Sequence, residues 1–270
     1  MSHIENSQLG HHTQYPTQYD ASLLFAVPRS ENRQYLSPSP LHGVDIWTGY
    51  ELSWLNAQGL PQVAIAEFSI PANSPNIIES KSFKLYLNSL NAHRFANQSD
   101  LITQITHDLS ACAGAIVSMR IHAVNALSIG NLPGICLDNL TVSIDRYQPD
   151  ATLLQTGHLS GNACWHSHLL KSNCPVTGQP DWGSIVIDIQ ARHLPAAESL
   201  LAYIVSYRDH QGFHEHCVES IYSDIWQIFK PEKLLVYARY VRRGGLDINP
   251  WRTSDPHAHA WVDMPRLARQ

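Results

Sequence analysis

The chain has no closely spaced cysteine pair. Its five cysteines, Cys112, Cys136, Cys164, Cys174 and Cys217, are odd in number and scattered. That pattern argues against a disulfide framework and against a zinc site built on cysteine pairs, and it suits a reducing cytoplasm. No G-x-G-x-x-G occurs, so a Rossmann dinucleotide site is not indicated. Charge is sparse: Asp, Glu, Lys and Arg make up 15% of the 270 residues and the net charge is −5. A broad nucleic-acid surface needs clustered basic residues, which this composition does not supply. No apolar run reaches membrane-spanning length, and the polar, histidine-rich beginning is not read as a signal peptide.

What the chain does have is apolar residues, 44% of the total, enough for a substantial core. Against the acidic balance, Lys81, Lys84, Arg242 and Arg243 stand out as local positive sites. The 16 histidines include the pairs His166-x-His168, His214-x-His216-Cys217 and His257-x-His259. None has the ligand spacing of a structural zinc site, so no metal is expected.

The order of elements reads as two copies of one plan. Val44–Leu55 and Gln62–Ile70 have strand patterns, Glu79–Asn91 and Asp100–Ala113 helical ones, and Ile116–Val124 returns as a strand. In the second half, strands are expected at Cys164–Leu170 and Ser184–Ala191, helices at Ala197–Tyr207 and His214–Phe229, and a strand at Leu234–Val241. Asp138–Gln155 joins the halves and is expected to add strand of its own. Glu79-Ser80 and Glu198-Ser199 open corresponding helices in this alignment, and Phe95 and Phe213 follow at similar offsets. The fold class is α+β, with antiparallel sheets carrying helices on one face. The expected division is a mobile segment at 1–20, one module at 21–150 and a second at 151–270.

One loop carries the densest chemistry: Ser172-Asn173-Cys174-Pro175-Val176-Thr177-Gly178-Gln179-Pro180-Asp181. Gly178 and the prolines favour tight bends, which would turn a thiol and a carboxyl toward one small volume. Such a pair supplies a nucleophile and a proton donor. A polar loop with an incidental thiol is the alternative reading, since lone cysteines are usually inert. Glu79 and Glu215 each lie in a helical first turn, where a carboxylate complements the helix dipole without any ligand. A carboxylate also accepts both donors on the pyrimidine edge of a guanine-like base.

The loop resembles the active-site loop of the nitrile reductases that convert 7-cyano-7-deazaguanine to 7-aminomethyl-7-deazaguanine in the queuosine pathway of tRNA modification. Three further segments resemble the same family: Glu79-Ser80-Lys81-Ser82-Phe83-Lys84-Leu85-Tyr86, Phe213-His214-Glu215-His216-Cys217, and Arg243-Gly244-Gly245-Leu246-Asp247-Ile248-Asn249-Pro250. They stand in the order of the long, two-module form. Pro175, directly after the cysteine, is more typical of the short, single-module enzymes.

The resemblance implies a tunnelling fold, in which such modules assemble into a barrel and bind ligands between modules. It implies Cys174 as the nucleophile that forms a covalent thioimide, Asp181 as proton donor and His214 as its assistant. Ile78, Glu79, Ser80, His214 and Glu215 would hold the substrate. Ser80, Lys81, Lys84, Arg243 and Gly244 would hold NADPH. The intact Glu-Ser-Lys segment lies in the first half and the Cys-Asp loop in the second, which implies one composite site per chain. A homodimer in the cytoplasm, with no direct nucleic-acid or membrane partner, completes the expectation. A thiol-dependent nitrile hydrolase and a non-catalytic purine- or pterin-binding module are the competing readings.

Overall fold

The structure is a computed structural model and describes residues 15–258, 264 and 266–270. The chain divides into two compact units. One holds the residues up to Arg33 with Ile46–Leu127 and Arg242–Asp247; the other holds Gln34–Asp45, Ser128–Val241 and the residues from Ile248 on.

The first unit is built on β1 (Ala26–Pro28), α1 (Ser30–Arg33), β2 (His42–Leu55, in this unit from Ile46), β3 (Pro61–Pro71), β4 (Asn76–Ile78), α2 (Ser80–Ser89), α3 (Gln98–Ala113) and β5 (Ser118–His122). β3 lies between β2 and β5 and pairs with β5 in antiparallel register, Glu67 opposite Arg120. β1 and β4 form a separate antiparallel ribbon. Phe83 of α2 packs on Trp47 and Phe68, with ring centroids 5.3 Å and 5.0 Å away. Leu101, Ile105 and Leu109 of α3 recur every four residues and are buried, so one apolar stripe of the helix faces the core.

The second unit holds β6 (Ile135–Cys136), β7 (Gly161–Ser167), β8 (Lys171–Asn173), β9 (Pro180–Ala191), α4 (Ala197–Ser206), α5 (His214–Phe229), β10 (Lys233–Tyr240) and β11 (Leu246–Thr253, in this unit from Ile248). β9 pairs in antiparallel register with β10, β7 and β8. Ile185, Ile187 and Ile189 of β9 and Val236, Ala238 and Tyr240 of β10 share one core with Leu200 and Ile204 of α4 and Val218, Ile221 and Ile225 of α5. Alternate strand residues point to the helices, which is the period-two pattern of a sheet covered on one face.

The two units share a set of matching hydrogen bonds. Asp20 caps the turn Ala21–Leu23 and Asp150 caps Ala151–Leu153, each accepting from the amide two residues on. Glu79 N donates to Phe25 O and Ala196 N to Gln155 O, both at 2.9 Å. Tyr86 donates to Asp108 at 2.7 Å, and Tyr203 to Asp224 at 2.5 Å. Leu55 N donates to His93 O and Asn173 N to His210 O; Leu55 O accepts from Phe95 N and Asn173 O from Gly212 N. These bonds set Glu79 opposite Ala196 in the repeat. The alignment of Glu79 with Glu198 is therefore corrected by two residues: Glu198 lies in the first turn of α4, after its cap.

Several strands differ from expectation. Asp138–Gln155 holds no strand; its regular element is the capped turn Ala151–Leu153. The strand expected over Cys164–Leu170 stops at Ser167. Asp138 accepts from Ser167 Oγ at 2.6 Å and from His168 N at 3.0 Å, and Ser167 Oγ accepts from Leu169 N. Side-chain oxygens have taken the amides that a ladder needs. The two-residue β6 pairs in parallel with β7, an exception to the antiparallel plan. β11 was hidden because its eight residues are all buried, so they do not alternate, and because Pro250 within it reads as a breaker. Of the N-terminal segment expected to be mobile, residues 1–14 lie outside the described residues, whereas Tyr19 donates to Asp108 at 2.7 Å.

Candidate active site

Cys174 begins the turn between β8 and β9. Its N–H donates to Gln179 O at 2.9 Å, its C=O accepts from Gly178 N at 3.1 Å, and Thr177 N approaches its Sγ at 3.5 Å. Gly178 closes the turn at φ 66°, a left-handed conformation that glycine adopts without strain. The thiol is buried at the base of the turn, 4% exposed, with an amide donor directed at its sulfur.

Asp181, the second residue of β9, pairs in register with Ser172 of β8. Its carboxylate is buried, and Oδ2 lies 3.3 Å from Nε2 of His214. His214 is the first residue of α5 and Glu215 the second, both buried. The His214 ring lies flat on Tyr240 of β10, centroids 3.8 Å apart and planes 4° from parallel. The Cys217 thiol, one turn along α5, faces Ser172 and Tyr240, and burial pushes it up to about 12. Sequence reasoning named Ser172 and Cys217 within their segments without placing them beside this pair, and it did not single out Tyr240. Strand alternation gave the face on which Tyr240 lies but not the ring that it meets.

In the first unit, Ile78 ends β4 and is buried, and Glu79 is the N-cap of α2. Both carboxylate oxygens of Glu79 are engaged, Oε1 by Lys81 N at 2.6 Å and Oε2 by Ser82 N at 2.7 Å. Each oxygen keeps a second lone pair for a further donor. Burial raises the proton affinity of this carboxyl. The two amides and the nearby Lys84 and Lys81 cations oppose that rise without cancelling it.

Lys81 and Lys84 are half-buried on α2. Arg243 and Leu246 bracket the turn Gly244-Gly245, where both glycines have positive φ. A Cβ on Gly244 would stand 3.4 Å from the Lys84 side chain, so the turn lies against that lysine. Arg242 stacks over Tyr50 at 4.6 Å. The expected cofactor residues Ser80, Lys81, Lys84, Arg243 and Gly244 thus share one unit with a helix N-terminus. That donor set suits phosphate groups. Among the described residues, no group of three or more His, Cys, Asp or Glu side chains is placed to hold a metal ion. His259 of the pair His257-x-His259 lies outside the described residues.

Two family models match the chain. Residues 15–121 match "Nitrile reductase, 7-cyano-7-deazaguanine-reductase N-term" and residues 180–259 match "QueF-like protein". Ile78 to Lys84 fall in the first range, and Asp181, His214, Glu215, Arg243 and Gly244 in the second; Cys174 falls between the two.

Curated relatives named NADPH-dependent 7-cyano-7-deazaguanine reductase span the whole chain. That of Acinetobacter baumannii (strain AYE) is 51% identical, covering 99% of this chain and 99% of its own. That of Chromohalobacter salexigens is 51% identical over 99% and 98%, and that of Bordetella avium is 53% identical over 99% and 99%. Among solved structures, "Crystal structure of the archaeosine synthase QueF-Like in the apo form" matches at a TM-score of 0.31 and 16% identity. It covers 34% of this chain and 89% of its own.

Proposed function

Because the chain belongs to the family of NADPH-dependent 7-cyano-7-deazaguanine reductases, we propose that the Cys174 turn and the Asp181–His214 pair carry out its chemistry. The chain is an oxidoreductase, and its reaction is the four-electron reduction of the nitrile of 7-cyano-7-deazaguanine to the aminomethyl group. The observation that carries the assignment of roles is the geometry of the second unit. A buried thiol sits under an amide donor, and the neighbouring strand presents a buried carboxylate that meets an imidazole at 3.3 Å.

The Cys174 sulfur attacks the nitrile carbon. One C–N π bond opens, and the nitrogen takes a proton from Asp181, giving a thioimide. After hydride reaches that carbon, the C–S bond breaks and the thiolate returns to Cys174, leaving an imine. A second hydride and proton complete the amine. His214 returns protons to Asp181 between steps, because its Nε2 is the neighbour of that carboxylate. NADPH, when bound, would supply the two hydrides, one per molecule. Lys81, Lys84 and Arg243 are the cations for its phosphates, together with the Gly244 turn and the start of α2 carrying Ser80. Glu79, with Ile78 and Ser80 beside it, and Glu215 with His214 are assigned to the deazaguanine, whose ring N–H and amino group are donors that a carboxylate can accept.

We further assign the units as tandem tunnelling-fold modules, from the shared order of two strands, two helices and a returning strand. Edge strand β5 pairs with no strand other than β3 among the described residues. An open edge of this kind is a template for a second copy, which supports a homodimer; sedimentation velocity tests it. A cytoplasmic site is supported by the five free thiols. No helix among the described residues is long and apolar enough to cross a membrane.

The deciding experiment is mass spectrometry of the protein mixed with 7-cyano-7-deazaguanine without NADPH. An adduct on the Cys174 peptide, lost in Cys174→Ala together with turnover, is the expected result. A turning-over Ala variant would end the assignment.

A further inference from the structure

His214 has an unusual set of contacts for a group that must shuttle protons. It is 8% exposed. Nε2 faces Asp181 at 3.3 Å, long for a hydrogen bond that is to hold a ring. Nδ1 is buried and meets no hydrogen-bond partner. The final torsion of histidine is broad, so polar contacts alone leave the ring plane poorly fixed.

Tyr240 supplies the missing constraint. Its ring lies parallel to the imidazole, 4° off, at 3.8 Å between centroids. Tyr240 is itself fully buried and is held by Asn249 and Gly183. Its N–H donates to Asn249 Oδ1 at 3.2 Å, and its backbone pairs with Gly183 of β9. A Cβ on Gly183 would stand 3.1 Å from Tyr240 Cδ1, closer than such contacts normally come. Glycine at this position, two residues after Asp181, therefore makes room for the ring. The Tyr240 hydroxyl faces Ser172 and Cys217 but has no hydrogen bond of good geometry. The ring rather than the hydroxyl is the part with a defined contact.

We infer that Tyr240 is a positioning residue for proton transfer, its ring holding the His214 imidazole in the plane that keeps Nε2 on Asp181. Gly183 is part of the same device because it sets where the ring can lie. The inference rests on the reading that Asp181 and His214 move protons during nitrile reduction.

The test uses the full chain with 15N-labelled histidine and three variants, Tyr240→Phe, Tyr240→Leu and Gly183→Ala. Adduct formation with 7-cyano-7-deazaguanine is followed in single turnovers, substrate affinity by titration, and the His214 tautomer by its 15N spectrum. Tyr240→Phe keeps the flat face and should match the unaltered protein. Tyr240→Leu should slow adduct formation roughly ten- to hundredfold, the loss that misplacement of about an ångström brings. Its substrate affinity should not change, and His214 should show mixed tautomers. Gly183→Ala should shift rate and spectrum in the same direction by less.

Native rate and spectrum in Tyr240→Leu overturn the inference, as does a loss in Tyr240→Phe equal to that in Tyr240→Leu. If Tyr240→Leu does not fold, unchanged rate and spectrum in Gly183→Ala overturn it. A fast His214→Ala variant would sink the proton-transfer reading instead, while the His214 spectrum of Tyr240→Leu would still report whether Tyr240 holds the ring.

Discussion

The turn at Asn56 and the turn at Cys174 occupy the same place in the repeat and do different work. Asn56 N donates to Leu60 O and accepts, through its C=O, from Gly59 N; Cys174 does the same with Gln179 and Gly178. Gly59 and Gly178 both take positive φ. In the first unit the Asn56 side chain accepts from Gln58 N and Leu60 N, at 3.0 Å and 2.9 Å. This is an Asx turn that closes on itself. In the second unit the side chain is a thiol, approached by one amide, and the turn is six residues long instead of five. Pro61 and Pro180 open the following strands, so Gln62 stands where the second unit has Asp181.

The helix starts show the reverse division. Glu79 caps α2 with both oxygens, whereas its counterpart Ala196 offers α4 no side-chain cap. Backbone architecture and chemistry are therefore separable here: one frame is kept twice, and each copy carries functional groups that the other lacks.

The comparison breaks most visibly at the nucleophile. Cys174→Asn, which puts the Asn56 side chain at the matching position of the second unit, should fold and bind substrate but form no adduct and show no turnover. Asn56→Cys should gain no adduct, because no Asp181–His214 equivalent follows it. Intact-mass measurement reads both, and an adduct on the thiol introduced by Asn56→Cys would show that the turn alone suffices.

Next in size is Asp181→Asn. It should leave substrate affinity in place and lower single-turnover adduct formation by about two to four powers of ten, the range of general acid–base catalysis. A rate near that of the unaltered protein would move the proton to another donor.

Thiol reactivity gives a third contrast, within the second unit and beyond it. Burial holds the Cys112 and Cys164 thiols up at about 11 and Cys217 at about 12, so their thiolate populations near neutral pH are small. Peptide mapping after iodoacetamide at neutral pH should find these three unlabelled, with labelling growing as the pH rises toward those values. Rapid labelling of Cys217 at neutral pH would contradict its burial.

The smallest effects are at the helix starts. Glu79→Ala should cost about 1 kcal/mol of stability through the lost cap and also weaken substrate binding. Ala196→Asp should add stability of about the same size with kcat unchanged. Denaturant midpoints measure the first effect, and a calorimetric titration separates binding from folding.

Much of this was legible in the sequence where periodicity is long. α5 runs over the expected residues, and α3 differs from its expected start by two, because a sixteen-residue amphipathic stripe has few alternatives. The cysteine loop was legible because glycine and proline mark a turn whatever surrounds it. β11 was not, since a strand buried on both faces has no alternation and Pro250 interrupts it. Neither was the break after Ser167, which depends on a carboxylate twenty-nine residues away at Asp138. The role of Glu79 as a cap, with both oxygens engaged, needed the backbone geometry of α2. The His214–Tyr240 stack joins residues from a helix and a strand whose pairing no local pattern states.

The tyrosine–aspartate bonds act as rulers. Tyr86 and Tyr203 are each the seventh residue of a ten-residue helix, and Asp108 and Asp224 each the eleventh of a sixteen-residue helix. One residue inserted between a helix start and its aspartate would swing the carboxylate by about 100°, away from the buried hydroxyl. The connecting loops, Leu90 to Asn97 in one unit and Tyr207 to Phe213 in the other, are tied at His93 and Phe95 and at His210 and Gly212, and they differ by one residue between the second of these ties and the next helix. The two units therefore differ in length only where no such bond fixes the count, after Phe95 and Gly212, and not inside the helices. Any pair of functional groups borne on α5, such as His214 and Glu215, inherits that fixed phase.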